Sequence, residues 1–130
     1  MKRLCLILTA IAVLAASPGS PLCPAKVGAA GNIACDCVLY ARSIVPSLPY
    51  GLFTQKDKAR IINANTPKAG YVAIHSYNHV SVLTHVDAVP LPLGGVSIIV
   101  TLTEANFVSC KITTRKGTPA QLGIVGYFRP

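Results

Sequence analysis

The feature that most restricts the fold of this chain is a change in sequence pattern near residue 70. From there onward, runs of β-branched and aromatic residues alternate with Gly, Pro, Asn and Asp, a pattern typical of short strands joined by turns. Because these runs follow the helical part of the chain instead of alternating with it, the sequence predicts an α+β domain. The sheet is expected to be antiparallel, with five to six strands. The predicted strands are residues 71–76, 79–86, 96–103, 108–114 and 124–128.

Two short helices are predicted ahead of the strands. Residues 37–45 place apolar side chains at spacings of three and four, Asp36 is a suitable N-cap, and Pro46 ends the helix. A second helix is predicted at residues 54–62. The first helix therefore carries Cys37 at its start, and we expect this short N-terminal helix to pack on the sheet.

The N-terminus has the pattern of a secretory signal peptide. A Lys-Arg pair precedes an apolar run at residues 4–16, which is shorter than the about 20 residues that a transmembrane helix needs. We interpret residues 1–17 as a cleaved signal peptide, with cleavage after Ala15 or Ser17 left open. A retained membrane anchor is the alternative. The expected location is secreted or periplasmic.

Removing the signal peptide changes the composition of the chain. The 130 residues carry a net charge of +8 and are 52% hydrophobic, and without residues 1–17 the charge falls to +6. Residues 18–34 are rich in Pro, Gly and Ala, and we interpret them as a flexible lead-in. Residues 35–130 form the predicted folded domain, and a mature chain of this length is able to bury its own core.

The chain has five cysteines, an odd number. Cys5 leaves with the signal peptide. Cys37 lies at a predicted helix start, where unpaired backbone N–H groups and the helix dipole lower the pKa of a thiol and make it a nucleophile. The alternative in an exported protein is that Cys37 is half of a disulfide. With Cys37 reserved, a Cys23–Cys35 or a Cys23–Cys110 bridge stays open, as does a reversible Cys35–Cys37 bridge.

A thiolate hydrolase needs a histidine as general base and a third group that orients the imidazole ring. The chain has three histidines. His79 opens a predicted strand and is the candidate base, whereas His75 and His85 are interpreted as ordinary strand or surface histidines. His75 and His79 also suggest two metal ligands, but no third ligand has suitable spacing, so no zinc site is predicted.

Carboxylates are scarce, with four in the whole chain. Asp57 lies among basic residues and is interpreted as part of a solvated helix face, and Asp87 is placed in a turn. Glu104 ends an apolar strand, and Asn106 is expected to point to the same side. Such a pair suits a Cys/His site, and the alternative is a polar pair at a strand end in solvent.

Taken in chain order, these residues resemble the CHAP domain, a family of cysteine, histidine-dependent amidohydrolases and peptidases in the wider papain-like and NlpC/P60 group. The resemblance covers most of the chain, from about residue 35 to the end. The matching segments are CVLYAR at 37–42, PKAGYVAI at 67–74, HV at 79–80, EAN at 104–106 and GYFRP at 126–130.

The resemblance implies a papain-like fold and a role for each site residue. Cys37 matches the nucleophile at the start of the helix, and His79 matches the general base. Glu104 matches the acidic residue that orients the imidazole, and Asn106 matches the polar residue that completes the site. No cofactor and no metal are implied. The implied substrate is peptidoglycan, cut at an amide bond of the stem or cross-link peptide, or at muramoyl-L-alanine.

The sequence departs from the family pattern at three places. Tyr71 stands where the family usually has Asp, Leu39 stands where it commonly has Trp, and Asp36 stands where it often has Gln or Asn. A negative Asp36 beside the thiolate would raise the pKa of Cys37 unless the carboxylate is turned away as a helix cap.

The positive charge predicts attraction to an anionic cell-wall polymer or membrane surface. Nucleic acid is not an expected partner, because the chain is exported and has few aromatics among its basic residues. We expect a monomer. The alternatives to a hydrolase are a non-catalytic module with the CHAP fold and a disulfide-stabilised secreted protein in which Cys37 is bonded. The basic residues include Lys56, Lys58, Arg60, Lys68 and a cluster of Lys111, Arg115 and Lys116.

Overall fold

The computed structural model describes residues 32–130. The predicted signal peptide, most of the lead-in and Cys23 lie outside the described residues. A single 3₁₀ turn, Ile33–Cys35, comes first, and its N-cap Asn32 accepts a hydrogen bond from the Ala34 N–H. Within residues 32–130, none of the helices has the length and apolar character needed to cross a membrane.

Both predicted helices are present. Helix α1 spans Cys37–Ile44, and the Asp36 side chain accepts hydrogen bonds from the Val38 and Leu39 N–H groups at its start. The prediction that Asp36 is an N-cap is therefore confirmed. Helix α2 spans Gln55–Ala59 and is shorter than predicted. Its first turn is closed by a capping box between Thr54 and Asp57.

The strands form one five-stranded antiparallel sheet, which confirms the predicted α+β class. Its strand order is β4-β3-β2-β1-β5. Strand β3 runs two residues further than predicted and includes Glu104, whereas β4 starts four residues later, because residues 106–111 form a loop. The strands are β1 Val72–His75, β2 Val80–Pro90, β3 Val96–Ala105, β4 Ile112–Gly117 and β5 Ile124–Phe128.

Helix α1 packs on one face of the sheet. Val38 and Ala41 of the helix share a buried cluster with Val72, Ile74 and Val80 of the first two strands. The alternating residues of the same strands point to the opposite face, where they form a second cluster. The second cluster contains Ala73, Leu83, Val100, Leu102, Leu122 and Tyr127.

A disulfide joins Cys35 to Cys110, across a sequence separation of 75 residues. Both pairings proposed for Cys23, with Cys35 or with Cys110, are therefore wrong, because these two cysteines are bonded to each other. A Cys35–Cys37 bridge is absent for the same reason, and Cys37 is the free cysteine of the described residues. The chain can make this bridge because Asn106 adopts a positive φ of 58° directly after β3, which turns the following loop back toward the start of α1.

Strands β2 and β3 extend beyond the rest of the sheet. Strand β1 pairs with β2 as far as Val82, and β4 pairs with β3 from Val100 onward. After a register shift between Leu83 and His85, and from Asp87 opposite Ile99 onward, β2 and β3 pair only with each other, up to Pro90 opposite Val96. We call residues 88–96, which close this two-stranded extension, the ribbon tip. They lie at the end of the sheet away from Cys37.

Candidate active site

Cys37 is the first residue of α1, and its thiol is free and half-buried. The helix starts here because the Asp36 carboxylate satisfies the N–H groups of the next two residues. That carboxylate is turned onto the helix, as a cap requires. Among the described residues, no oxygen accepts a hydrogen bond from the Cys37 N–H, so this donor is available at the thiol.

His79 stands directly before β2, and its ring is buried between Cys37 and Glu104. The His79 Nε2 atom lies 2.7 Å from Glu104 Oε1. The Cys37 thiol interacts with the imidazole and with the Val80 backbone, and both interactions lower the pKa of the thiol. Since Nε2 faces the carboxylate, we assign the thiol contact to Nδ1.

These contacts favour a thiolate and an imidazolium. Burial by itself raises the pKa of Cys37, but the hydrogen bonds from His79 and from the Val80 backbone outweigh it, and the pKa is lowered. Burial by itself lowers the pKa of His79, but its bonds to Cys37 and Glu104 outweigh that effect, and the pKa is raised. Both shifts favour transfer of the thiol proton to the imidazole, and a thiolate is the form that acts as the nucleophile.

Glu104 is fully buried near the end of β3 and is held by a cation that the sequence interpretation missed. The Arg115 Nη2 atom lies 3.0 Å from Glu104 Oε1, and Arg115 Nε bonds to Oε2. Burial raises the pKa of Glu104, but the bonds from His79 and Arg115 outweigh it, and the pKa is lowered. Glu104 is therefore ionised, and His79 Nε2 must donate to it.

Arg115 belongs to a sequence cluster of positive charge with Lys111 and Lys116, but its side chain is 23% accessible and pairs with Glu104. Residue 115 lies opposite Leu102 in the β3–β4 pairing, two positions along the same face from Glu104. Sequence could have shown that Arg115 lies beside Glu104 only through the alternation of side chains on two paired strands. That argument needs the register of β4 against β3, and the sequence does not show this register. Arg115 also donates to the Tyr77 hydroxyl at 2.9 Å.

Two aromatic rings enclose this charged cluster. The Tyr77 ring stacks on His79 with centroids 5.8 Å apart, and the Phe107 ring lies 5.7 Å from His79. The Arg115 guanidinium lies 3.6 Å from the centroid of Phe107. These rings keep water away from the His79–Glu104 bond, which strengthens the bond, and the Phe107 face favours the Arg115 cation.

Asn106 lies next to the site but makes a different contact from the other three predicted residues. Strand β3 ends at Ala105, so the alternation that was to place Asn106 beside Glu104 does not reach it. Its side-chain amide instead donates to the Cys35 carbonyl at 2.8 Å, two residues before the nucleophile. Asn106 is exposed and holds the chain that leads into α1.

His75 and His85 differ in how far their side chains are buried. His85 is exposed on β2, as expected. His75 is fully buried, with Nδ1 2.8 Å from the Leu122 carbonyl and Nε2 2.8 Å from the Ser81 hydroxyl. Because a carbonyl only accepts, Nδ1 carries the proton and Nε2 accepts from Ser81. Burial lowers the pKa of His75 to about 4, so the ring is neutral.

A metal site at these residues is disfavoured by their bonding. The ligand atoms of His75, His79 and Glu104 all lie within 4.8 Å of one another, which supplies the third ligand that sequence spacing did not. However, both nitrogens of His75 are hydrogen-bonded, and the Arg115 cation occupies both oxygens of Glu104. A metal cation bound here would have to displace the Arg115 guanidinium, or it would be repelled by that positive charge.

A cavity of about 420 Å³ opens beside the start of α1. Asp36 and Leu39 of the helix line one side, and the loop before α2 lines the other. That loop carries two exposed aromatic residues, Tyr50 and Phe53, which are 83% and 81% accessible. Asp36 and Val38, the sequence neighbours of Cys37, line the cavity, and its aromatic rim is suited to contact with a substrate chain.

The thiolate predicts a distinctive pH dependence of alkylation. We expect iodoacetamide to modify Cys37 at a rate that stays high well below pH 8, about where an ordinary thiol loses reactivity. In Glu104→Gln the imidazolium loses its anion, so the pKa of Cys37 rises and the rate at pH 6.5 falls about tenfold. Mass spectrometry of the Cys37 peptide gives the rate, and His85→Gln is the control. An ordinary thiol profile in the wild type would contradict the assigned ion pair.

The described part of the site is therefore a continuous chain of hydrogen bonds from His79 through Glu104 to Arg115 and Tyr77, and the Cys37 thiol interacts with the His79 end of it. Residues from α1, the β1–β2 turn, β3 and β4 meet at one end of the sheet to form it. No family model matches this chain, and no curated protein or solved structure matches it either.

Proposed function

We propose that this chain is an exported cysteine amidohydrolase or peptidase of the CHAP type, with a papain-like fold, that cleaves an amide bond in peptidoglycan. The observation that carries the proposal is the Cys37–His79–Glu104 arrangement. A free thiol at a helix start interacts with a buried imidazole, whose Nε2 lies 2.7 Å from a buried carboxylate. Nucleophile, base and orienting group are the three parts that covalent amide hydrolysis needs.

In the first half of the reaction, the Cys37 thiolate attacks the carbonyl carbon of the amide and forms a C–S bond. The electron pair of the carbonyl moves to its oxygen. When the tetrahedral intermediate collapses, the C–N bond breaks and His79 Nδ1 gives its proton to the leaving amine. A thioester to Cys37 remains, and His79 is neutral.

In the second half, a water molecule replaces the amine. Neutral His79 accepts a proton from this water through Nδ1 as the water oxygen attacks the thioester carbon. The C–S bond then breaks, the carboxylic acid leaves, and the thiolate–imidazolium pair is restored. Glu104 keeps the proton on Nε2 throughout, so Nδ1 is always the nitrogen that faces the reaction.

The carbonyl oxygen becomes negative in both tetrahedral intermediates. The Cys37 N–H at the first position of α1 is the donor best placed to stabilise it, because among the described residues it has no other acceptor. The positive end of the α1 dipole acts in the same direction. The Asp36 carboxylate is occupied by the next two N–H groups of the helix and leaves the Cys37 N–H available.

The substrate class is supported by three properties of the chain. The segments around the site residues resemble the CHAP domain, whose members act on peptidoglycan. The N-terminal pattern predicts export to the compartment that holds the wall. The net charge, +6 after removal of residues 1–17, suits an anionic cell envelope. Within peptidoglycan, the candidate bonds are those of the stem and cross-link peptides and the muramoyl-L-alanine amide.

Digestion of purified sacculi tests the proposal. We expect the wild type to release soluble fragments, and their masses with their new amino termini identify the bond that is cut. Cys37→Ala is the matched control, because it removes one sulfur and leaves the Cys35–Cys110 disulfide in place. Binding to sacculi without Cys37-dependent fragments would support the alternative, a non-catalytic module with this fold.

A further inference from the structure

The ribbon tip, residues 88–96, is an exposed apolar surface that the proposed function does not use. Its sequence, AVPLPLGGV, has no charged or hydrogen-bonding side chain, and all nine residues are exposed. Leu93 is fully accessible, and Val96, Leu91 and Val89 are 58%, 46% and 44% accessible. Contiguous apolar surface of this kind on a soluble domain marks a site of interaction.

The tip is held in an ordered shape despite its exposure. The Leu91 N–H donates to the Gly95 carbonyl, and the Gly94 N–H donates to the Leu91 carbonyl. Gly94 and Gly95 close the turn with φ values of 99° and 79°, which side chains rarely adopt. Two prolines in the segment restrict the backbone further. A partner therefore meets a preformed surface and pays little ordering entropy.

Positively charged residues lie at the same end of the sheet as the ribbon. Arg129 follows Phe128, which pairs with Val72 at the first residue of β1. Lys68 lies in the turn whose Gly70 bonds to the Leu83 carbonyl. Asp87, beside the tip, is the one carboxylate of the ribbon.

An apolar tip with basic residues behind it fits the interface of an anionic bilayer. The acyl region takes up the leucines and valines, and the anionic headgroups attract the basic residues. A second copy of the chain fits less well, because it too is positively charged, with +6 after removal of residues 1–17, and the two copies would repel each other. We propose that the ribbon tip inserts into the headgroup boundary of a bilayer that contains anionic lipid.

The register of the sheet then determines how the bound chain is oriented. His79 precedes the first residue of β2, and Glu104 is the second-to-last residue of β3, whereas the tip joins the other ends of these two strands. The site therefore faces away from the bilayer when the tip is inserted. This inference stands on the ribbon alone and does not depend on the proposed hydrolysis.

Tryptophan fluorescence of the full chain tests the insertion, because the chain contains no tryptophan. Leu93→Trp places a reporter in the tip at a fully exposed position, where the fold is not disturbed. We expect its emission to shift to shorter wavelength with vesicles of phosphatidylglycerol and phosphatidylcholine, and to be quenched by brominated acyl chains. Phe53→Trp, 81% exposed and near the opposite end of the sheet, is expected to keep its emission unchanged.

Additional measurements distinguish insertion of the ribbon tip from lipid binding by another segment and from self-association. Leu91→Asp in the Leu93→Trp chain is expected to lower the lipid partition of the tip at least about tenfold, and added salt is expected to weaken it. Lipid binding by another segment would leave the Leu93→Trp emission unchanged and overturn the proposal. An equal shift with phosphatidylcholine alone would also overturn it, and so would a concentration-dependent shift without lipid, which would indicate self-association.

Discussion

Cys37→Ala is expected to lower the rate of sacculus digestion by at least about 10⁴-fold, because no other group of the site supplies a nucleophile. His79→Ala is expected to cost nearly as much, and the double variant little more than either single one, since thiolate and imidazolium act as a unit. Glu104→Gln keeps a hydrogen-bond acceptor for Nε2 but loses the charge, and about a 10²-fold loss is expected.

Two further variants complete this series. Asn106→Ala removes a bond to the Cys35 carbonyl and touches neither the thiol nor the imidazole, so only a few-fold effect is expected. His85→Ala is the control, because His85 is exposed on β2 away from the site. Release of soluble fragments per minute measures all six variants. Activity of Cys37→Ala within tenfold of the wild type would show that the thiol is not the nucleophile.

The second large effect is expected at Arg115. Arg115→Met keeps much of the side-chain volume but leaves Glu104 buried without its guanidinium, and we expect the free energy of unfolding to fall by about 3 kcal/mol. In a Glu104→Gln background the same substitution is expected to cost about 1 kcal/mol or less, since no buried charge is left unpaired. Urea unfolding of the four proteins gives the coupling between the two residues.

Lys116→Met is the matched control for Arg115→Met. It removes the same charge one residue further along β4, where the side chain is exposed, and a change within about 0.5 kcal/mol is expected. Equal losses for the two variants would contradict a buried Glu104–Arg115 pair.

The stability that the Glu104–Arg115 pair provides is also expected to depend on pH. Because the pKa of Glu104 is lowered in the folded state, its stabilising effect is present at neutral pH. That effect is lost as the pH falls below about 4.3 and through the folded pKa.

Local sequence patterns were sufficient to predict the helices and strands and to single out three residues of the candidate site. Asp36 before a run of helical spacing predicted the start of α1, and hence a cysteine at a helix N-terminus. Alternation and turn residues predicted five strands, and with them Glu104 near a strand end. His79 followed from its place at the start of a strand. These signals lie within a few residues of the groups that they describe.

The features that sequence missed depend on contacts between distant segments. Arg115 pairs with Glu104 only because β4 lies beside β3 in one particular register. The Cys35–Cys110 bridge depends on the positive φ at Asn106, which ends the alternation of β3 and turns the chain toward α1. His75 is an ordinary strand residue in sequence, and it is buried because Leu122, from a loop 47 residues away, supplies its acceptor.

The Cys35–Cys110 disulfide closes a covalent ring, and Cys37, His79 and Glu104 all lie within it. A single cut by a protease anywhere in that ring leaves the two fragments joined through the sulfur atoms. All three residues then remain parts of one molecule, and none can diffuse away from the others. Arg115 lies outside the ring. A cut between residues 110 and 115 therefore separates the segment that carries Arg115 from the ring, and only noncovalent contacts then hold that segment in place.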